Sequence, residues 1–452
     1  MERLAEILSW LPLFLSLADS PSDVSCAELV RSRFDRIAIE RATLNDNICQ
    51  VHGVVRPVVG SNIRFAVYLP DRSRWSGRYY QIGNGGFAGR IHLPTLHEGA
   101  RRGDAIAATD TGHEGTGFDA SWAKNNQIAL DDYGWRSIKA TRDAARSIVN
   151  RFYGRKPANN YFMGCSNGGR MALMAAARWP EDWDGIIAGA PANPWTHQLK
   201  NFSRIQNAIR KPGGWLGDRE IKNIKTVARA ACPAGSIIDG DVQFPMTCRA
   251  NWAQAKLNAK QRSTLKTIIA AGYMPSALEL QDWKRWIANN DRTESSQLTF
   301  AHQSQSFLFT QYPNHILSKS LDVKPTELSR FQNKGGKILS YFGWSDAVIA
   351  PGLGIKWYQS VAQSSDGRIM DFYRLFMIPG MLHCQGGANA ISFGQSIDAP
   401  SHRANREFDV RMALEHWVEH GVPPERLKGV RPTGEVAEVA PFELSNAQSR
   451  SQ

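Results

Sequence analysis

Short apolar runs and helix-like segments alternate along the first part of the chain. Runs of strand length, rich in β-branched and aromatic residues, occur at residues 64–69, 78–82, 104–109, 160–163 and 185–189. Between them, apolar side chains recur at helical spacing over residues 137–152 and 170–178. Strands that alternate with helices predict a mostly parallel sheet covered by helices on both faces. The pattern therefore indicates an α/β fold.

The alternation stops after residue 197 and resumes near residue 333. The intervening segment is richer in polar helix and loop, which indicates a lid domain inserted into the core. Beyond it the pattern predicts two further strands and a helix, at residues 337–342, 372–378 and 406–419. The expected order is therefore a first core part, a lid, a second core part and a polar tail, at residues 19–197, 198–332, 333–430 and 431–452.

A G-x-S-x-G pattern lies between a predicted strand and a predicted helix. Gly164 and Gly168 bracket Ser166 in the stretch Tyr161-Phe-Met-Gly-Cys-Ser-Asn-Gly-Gly169. This pattern is typical of a sharp strand-to-helix turn from which the serine hydroxyl projects. The glycines fit such a turn because side chains there would collide with the neighbouring backbone. The alternative is a glycine-rich helix start that only packs closely.

The resumed pattern places an acid and a histidine where a serine nucleophile would need them. Asp346 follows the strand predicted at 337–342, and His383 follows the strand predicted at 372–378. The order Ser, Asp, His is that of the α/β-hydrolase fold, and all three would lie beyond the carboxyl ends of parallel strands. Each partner alone has an ordinary alternative, a structural histidine or a turn aspartate. Together they predict that Asp346 orients His383 and that His383 deprotonates Ser166.

Two cysteines adjoin the predicted catalytic residues. Cys165 precedes Ser166, and Cys384 follows His383. If the serine and histidine touch, these neighbours come within the short Cα separation that a disulfide requires. We therefore expect a Cys165–Cys384 bond that ties the histidine loop to the nucleophile turn; the alternative is two separate buried thiols.

Ester hydrolysis also needs two N–H donors for the negative charge on the carbonyl oxygen. Asn167 begins the predicted helix, where free N–H groups and the helix dipole favour an anion. The second donor is expected from Gly85 or Gly86, in the glycine-rich stretch after the strand at 78–82. The alternative for that stretch is an ordinary turn.

Composition narrows the class of protein. The chain has 452 residues, of which 42% are hydrophobic, so a globular core is expected. The formal charge of +12 is spread out, without a basic run or a nucleic-acid-binding motif, so we expect no nucleic-acid partner.

The apolar run at residues 7–18 is too short to span a bilayer. It favours a signal peptide over residues 1–18 rather than a short amphipathic helix, and with six cysteines it predicts a secreted or periplasmic protein.

The arrangement Cys-Ser, Asp and His-Cys resembles the tannase and feruloyl esterase family of serine hydrolases. The stretches around Gly83–Gly89, Thr109–His113 and Tyr133–Arg136 are similar to that family as well. The resemblance implies that the substrates are small esters of aromatic acids such as gallate or ferulate, in some cases attached to polysaccharide. It also implies two further disulfides, Cys26–Cys49 and Cys232–Cys248.

The lid departs from the family pattern. Family lids often carry an acidic calcium loop between the two lid cysteines, but here only Asp239 and Asp241 remain. Because calcium takes six to eight oxygen ligands, we expect no bound calcium. The sequence has no Cys/His cluster with zinc spacing, and the predicted chemistry requires no cofactor, so we also expect no other metal and no cofactor. Aromatic residues of the lid are candidates for an aryl pocket, with core packing as the alternative role: Trp283, Trp286, Phe307, Phe309 and Tyr312.

The sequence thus predicts a serine carboxylic ester hydrolase that acts on esters of aromatic acids through an acyl-enzyme. A hydrolase of terephthalate-type or aliphatic esters is the enzymatic alternative. A binding protein that kept the fold but lost catalysis is the alternative from another class; the presence of Ser166, Asp346 and His383 together argues against it.

Overall fold

A nine-stranded sheet forms the centre of the protein. The structure is a computed structural model that describes residues 24–286 and 307–444, so the expected signal peptide at 1–18 lies outside the described residues. The strands are β1 (Ile37–Asn45), β2 (Ile48–Val55), β3 (Ile63–Pro70), β4 (Arg78–Ile82), β5 (Ala105–Thr109), β6 (Asn159–Cys165), β7 (Gly185–Gly189), β8 (Ile237–Ile238), β9 (Asp241–Val242), β10 (Lys337–Gly343), β11 (Tyr373–Ile378), β12 (Leu427–Val430) and β13 (Val436–Val439).

The strand order in the central sheet is β1-β2-β3-β5-β4-β6-β7-β10-β11. Pairings from β5 through β11 are parallel, and β1, β2 and β3 are joined antiparallel at one edge. Strands β5 and β7 are buried along their whole length, as expected for parallel strands covered on both faces. The mostly parallel α/β-hydrolase sheet is therefore confirmed, and β1 and β2 are additions that the sequence pattern did not predict.

Helices cover both faces of the sheet, and each face has its own hydrophobic cluster. Their bounds are α1 (Leu93–Arg101), α2 (Gln127–Asp131), α3 (Ser137–Tyr153), α4 (Asn167–Arg178), α5 (Trp195–Arg210), α6 (Asp218–Ala230), α7 (Ala259–Ala270), α8 (Leu280–Trp286), α9 (Asn314–Leu321), α10 (Ser329–Asn333), α11 (Pro351–Gln363) and α12 (Val410–His420). Across the described residues, no helix combines the length and the apolar character needed to cross a membrane.

Local sequence signals set several helix ends. Helix α3 ends at Gly154, whose φ of 70° is left-handed and suits a residue without Cβ. Helix α12 begins where the Asp409 side chain accepts hydrogen bonds from the amides of Arg411 and Met412. The predicted start of this helix at residue 406 is wrong, because the Asp409 cap lies three residues later.

The chain between β7 and β10, called the insertion below, contains α5 to α10 and the small β8–β9 hairpin. The lid expected at residues 198–332 falls inside this insertion. After α12, the strands β12 and β13 form a hairpin that includes part of the expected polar tail. Phe442 is 4% exposed and its amide donates to the carbonyl of Leu375 in β11, so the residues after the hairpin dock on the core.

Candidate active site

The turn between β6 and α4 holds Ser166 in a constrained conformation. Its φ and ψ are 61° and −123°, a region that non-glycine residues rarely occupy. The Ser166 amide donates to the carbonyl of Gly189 at 2.9 Å, and the Ser166 carbonyl accepts from the amide of Ala192 at 3.0 Å. The neighbouring strand β7 and the residues after it therefore fix the backbone of the turn from both sides.

Glycines allow this turn to lie against the loop after β4. A Cβ on Gly164 would lie 2.5 Å from the carbonyl carbon of Gly168, and one on Gly83 would lie 2.6 Å from the Cα of Gly168. Contacts that short exclude any side chain. The serine turn and the Gly83–Phe87 loop are thus in direct backbone contact, which brings two candidate oxyanion donors to one place.

Asp346 and His383 are brought together at the ends of β10 and β11. Asp346 is 1% exposed, and its Oδ1 accepts from the amides of Val348 at 2.7 Å and Ile349 at 2.9 Å. Its Oδ2 accepts from Nδ1 of His383 at 2.8 Å. A proton held on Nδ1 leaves Nε2 of His383 as the basic nitrogen.

A disulfide connects the histidine loop to the serine turn. Cys165 and Cys384 are bonded, with their Cα atoms 5.9 Å apart and 219 positions between them in sequence. Ser166 and His383 are the direct chain neighbours of these cysteines. The structure therefore places the predicted serine, aspartate and histidine just beyond the carboxyl ends of β6, β10 and β11.

The other two cysteine pairs are also bonded in the structure. They join Cys26 to Cys49 and Cys232 to Cys248, as the family resemblance implied. All six cysteines of the chain are thus in disulfides.

The predicted oxyanion donors lie on either side of the contact between the two loops. Asn167 is the first residue of α4, so its amide has no hydrogen-bond acceptor within the helix. Gly86 has a φ of 54°, and a Cβ on it would lie 2.3 Å from the carbonyl oxygen of Gly117. Gly85 is exposed with space around its Cα. The loop therefore requires glycine at 86, whereas at 85 it leaves room for a substrate.

A fully buried arginine next to this site was not predicted from the sequence. Nε of Arg170 donates to Oδ1 of Asn167 at 2.7 Å, and one of its terminal nitrogens donates to the carbonyl of Gly134 at 2.9 Å. Burial lowers the pKa of Arg170. Nδ2 of Asn167 in turn donates to the carbonyl of Asn84 at 3.3 Å. The sequence signal for this network was a charged residue directly before the apolar run at 171–177.

The insertion donates to the turn that carries Asp346. The carbonyl of Val348 accepts from Nε2 of Gln198 at 3.0 Å and from the hydroxyl of Tyr273 at 2.9 Å. Both donors are buried residues of the insertion. The turn that carries Asp346 is therefore held by residues far from it in sequence, and no sequence motif marks them.

The β8–β9 hairpin of the insertion lies between the two lid cysteines, where the family pattern would have a calcium loop. One carboxylate oxygen of Asp239 pairs with Arg431 at 2.7 Å, and a Cβ on Gly380 would lie 2.2 Å from Oδ2 of Asp241. Within residues 24–286 and 307–444, no group of three or more His, Cys, Asp or Glu side chains is placed to hold a metal ion. Two carboxylates, one of them already paired with an arginine, do not supply the six to eight oxygens that calcium takes.

The aromatic residues of the insertion have different surroundings. Trp283 is 1% exposed and Phe307 and Phe309 pack at the margin of the main hydrophobic cluster. The hydroxyl of Tyr312 donates to the carbonyl of Ala123 and so joins the insertion to the core. The side chain of Trp286 lies outside the described part of the structure. These contacts favour packing for Trp283 and Tyr312.

A known protein family matches most of this chain. The family model for tannase and feruloyl esterase matches residues 49–271 and 310–442. The chain belongs to the tannase and feruloyl esterase family. This family membership makes it a carboxylic ester hydrolase.

Two relatives of this family illustrate the similarity in sequence. An uncharacterized esterase of Xanthomonas campestris pv. campestris is 32% identical over 84% of this chain and 76% of its own length. A probable feruloyl esterase B-1 of Aspergillus terreus is 28% identical over 85% of this chain and 79% of its own length.

Solved structures of the family share the fold. The crystal structure of feruloyl esterase B from Aspergillus oryzae matches with a TM-score of 0.78 at 22% identity, over 92% of this chain and 94% of that one. Tannin acyl hydrolase from Aspergillus niger matches with a TM-score of 0.64 at 19% identity, over 93% and 91% of the two chains. At these identities the likeness concerns the fold alone.

Proposed function

We propose that the protein is a serine carboxylesterase that cleaves esters of aromatic acids through an acyl-enzyme. One observation carries the proposal. His383 is hydrogen-bonded to the buried Asp346, and the residue after His383 is bonded to the residue before the constrained Ser166. This is the arrangement that nucleophilic catalysis by serine requires.

In the proposed mechanism, Oγ of Ser166 attacks the ester carbonyl while Nε2 of His383 accepts the hydroxyl proton. The oxygen of the tetrahedral intermediate carries the negative charge and accepts hydrogen bonds from the amides of Asn167 and of Gly85 or Gly86. The intermediate collapses to the acyl-enzyme, and the alcohol leaves with the proton from His383. Water, deprotonated by the same nitrogen, then attacks the acyl-enzyme. The bond between the acyl carbon and Oγ of Ser166 breaks, His383 returns the proton to Oγ, and the acid is released.

The acyl group is proposed from the relatives. The matching family model is that of tannase and feruloyl esterase, and one relative is a probable feruloyl esterase, so an aromatic acid is the proposed class, free or attached to polysaccharide. The proposed location is an oxidising compartment outside the cytoplasm, supported by the disulfides. The proposed steps use no metal, cofactor, nucleic acid or membrane.

A fluorophosphonate probe tests the nucleophile. Because the probe phosphonylates only an activated serine, with loss of fluoride, wild type should be labelled once and inactivated, and Ser166→Ala should be neither labelled nor active. Circular dichroism should show that Ser166→Ala is folded. Esterase activity that survives in folded Ser166→Ala would overturn the proposed mechanism, and an unlabelled, inactive wild type would support a binding protein.

A panel of nitrophenyl, feruloyl, galloyl and terephthalate esters tests the substrate class. We expect the highest kcat/KM on a feruloyl or galloyl ester. A preference of more than tenfold for short aliphatic nitrophenyl esters or for terephthalate esters would replace the aromatic-acid proposal while leaving the mechanism intact.

A further inference from the structure

Two side chains outside the predicted triad hold consecutive carbonyls of the Gly83–Phe87 loop. The hydroxyl of Tyr133 donates to the carbonyl of Gly86 at 2.8 Å. Nε2 of His113 donates to the carbonyl of Phe87 at 2.8 Å. Both donors come from other segments of the chain, and the loop they hold is the one that supplies a candidate oxyanion donor.

The direction of these bonds decides which amides remain for a substrate. In a trans peptide the carbonyl and the N–H point in opposite directions. The peptide that joins Gly86 to Phe87 is used on both sides, because its carbonyl accepts from Tyr133 and its N–H donates to Gly117 at 2.8 Å. The preceding peptide has its carbonyl, that of Gly85, bound to the amide of Ala88 at 3.0 Å. The N–H of Gly86 belongs to the same peptide as the Gly85 carbonyl and therefore points away from Ala88. The next peptide, between Gly86 and Phe87, is fixed on both sides and so restricts the direction of the Gly86 N–H.

Tyr133 is itself held from the serine side of the site. It is fully buried and lies in a π-helical turn, Asp132–Arg136, a feature frequent at functional sites. The guanidinium of Arg170 lies 5.2 Å from the centre of the Tyr133 ring and donates to the carbonyl of Gly134 at 2.9 Å. Because Arg170 also holds the side chain of Asn167, one residue connects the surroundings of both candidate donors.

Burial raises the pKa of Tyr133 to about 12, so its hydroxyl keeps its proton and remains a hydrogen-bond donor at neutral pH. Its ring also contacts neighbours independently of the hydroxyl, with centroid distances of 5.0 Å to Trp122 and 5.7 Å to Phe87. Removal of the oxygen alone should therefore leave the packing in place.

We propose that Tyr133 and His113 are positioning residues for the oxyanion hole, which keep the N–H of Gly86 aimed at the point that the N–H of Asn167 faces. The inference rests on the proposed serine mechanism. It assigns Gly86, rather than Phe87, as the second donor, because the N–H of Phe87 already donates to the carbonyl of Gly117. Neither Tyr133 nor His113 touches the substrate in this scheme; each acts through the backbone of the loop.

Tyr133→Phe tests the proposal with a minimal change. Loss of one oxyanion donor costs about 10²–10³-fold in kcat, so misdirection of a donor should cost less, on the order of tenfold. We expect kcat on a nitrophenyl ester to fall by about tenfold while KM changes by less than twofold. The matched control is Tyr153→Phe, which removes a hydroxyl bonded to the carbonyl of Pro70 at 2.7 Å, away from the site. The control should lose a similar amount of thermal stability and no activity.

His113 provides a second variant if Tyr133→Phe does not fold, since its ring is only half-buried. His113→Leu should lower kcat, and His113→Gln, which keeps an N–H donor near the position of Nε2, should restore most of it. Equal activities of the two variants would indicate a packing role for His113 and would overturn its part of the proposal.

The outcomes separate this inference from the proposed function. Wild-type kcat in folded Tyr133→Phe, together with an inactive Ser166→Ala, would overturn the inference and leave the serine mechanism in place. An active Ser166→Ala would overturn both. Fluorophosphonate labelling of Tyr133→Phe to full stoichiometry, with a lowered kcat, would support both.

Discussion

The two sides of the active site are built in different ways. On the serine side, the nucleophile turn and the oxyanion loop are joined by backbone contact, with glycines at 83, 164 and 168. The buried Arg170 adds side-chain bonds to the same region. Gly83 directly follows β4 and Gly164 lies in β6, both in the middle of the sheet, and Gly168 and Arg170 lie in the first turn of α4. This side is therefore determined by close packing of the core itself.

On the histidine side, the groups follow β10 and β11 in longer loops. Asp346 depends on its own turn and on Gln198 and Tyr273 of the insertion, which hold the carbonyl of Val348. The loop of His383 is tied by the Cys165–Cys384 bond. Asn389 of the same loop donates to the carbonyl of Asp239 in the β8–β9 hairpin at 2.8 Å.

The difference indicates how each side should respond to change. A close-packed backbone tolerates almost no added volume. A loop held by separate hydrogen bonds, a disulfide and an ion pair should instead position its catalytic residue less well each time one of these interactions is removed. On the histidine side, we expect the largest loss of kcat from removal of the catalytic carboxylate, a smaller loss from removal of the disulfide, and the smallest from removal of a surface ion pair.

Asp346→Asn should have the largest effect on the histidine side. The amide can still accept from Val348 and Ile349 through Oδ1, but its NH₂ group then faces Nδ1 of His383 and forces the other tautomer. We expect kcat to fall by about 10³–10⁴-fold with unchanged circular dichroism. Asp71→Asn is the control, because its Oδ1 caps Ser73 in an exposed turn. An unchanged rate in Asp346→Asn would mean that another carboxylate orients the histidine.

Replacement of the covalent tie should have an intermediate effect. In the chain-entropy model, the 219-residue separation of Cys165 and Cys384 gives about 5 kcal/mol of stability, less any strain, and the 23-residue separation of Cys26 and Cys49 gives about 3 kcal/mol. The double variant Cys165→Ser, Cys384→Ser should also lose about 10- to 100-fold in kcat. Without the disulfide we expect His383 to shift, and a displacement of about 1 Å of a catalytic group has that cost.

The variant with serine at 26 and 49 serves as the control for the disulfide. It should lower the melting temperature and leave kcat per folded molecule unchanged. Equal kcat values for the two double variants would show that the tie beside His383 stabilises the protein without positioning the histidine.

The elements that carry the triad could be predicted from sequence because their signals are local. A buried parallel strand reads as a short apolar run, and the turn at Ser166 needs glycines at fixed positions. The strands that precede Asp346 and His383 were found within one residue of their observed ends. Once the serine turn was recognised, the strand order of the fold placed the other two residues near it.

The supports of the site could not be predicted because they join segments distant in sequence. Tyr133 lies 47 positions from Gly86, and Tyr273 lies 75 positions from Val348. A hydroxyl that reaches a carbonyl across such a distance leaves no periodic or spaced pattern in the chain. The edge strand β1 was missed for a related reason, since its mainly exposed residues do not form an apolar run.

Arg431→Ala should have the smallest effect on the histidine side. The Arg431–Asp239 pair ties the β12–β13 hairpin to the insertion, but the side chain of Asp239 is 51% exposed, so the pair contributes less than about 1 kcal/mol. We expect kcat within about threefold of wild type, as for Arg426→Ala, which breaks the exposed pair with Glu438. EDTA should not add to the effect of either variant, because the hairpin carboxylates do not fit calcium. A tenfold loss of kcat confined to Arg431→Ala would show that the β12–β13 hairpin directs the histidine loop. A loss of activity on chelation would contradict the interpretation that Asp239 and Asp241 do not bind calcium.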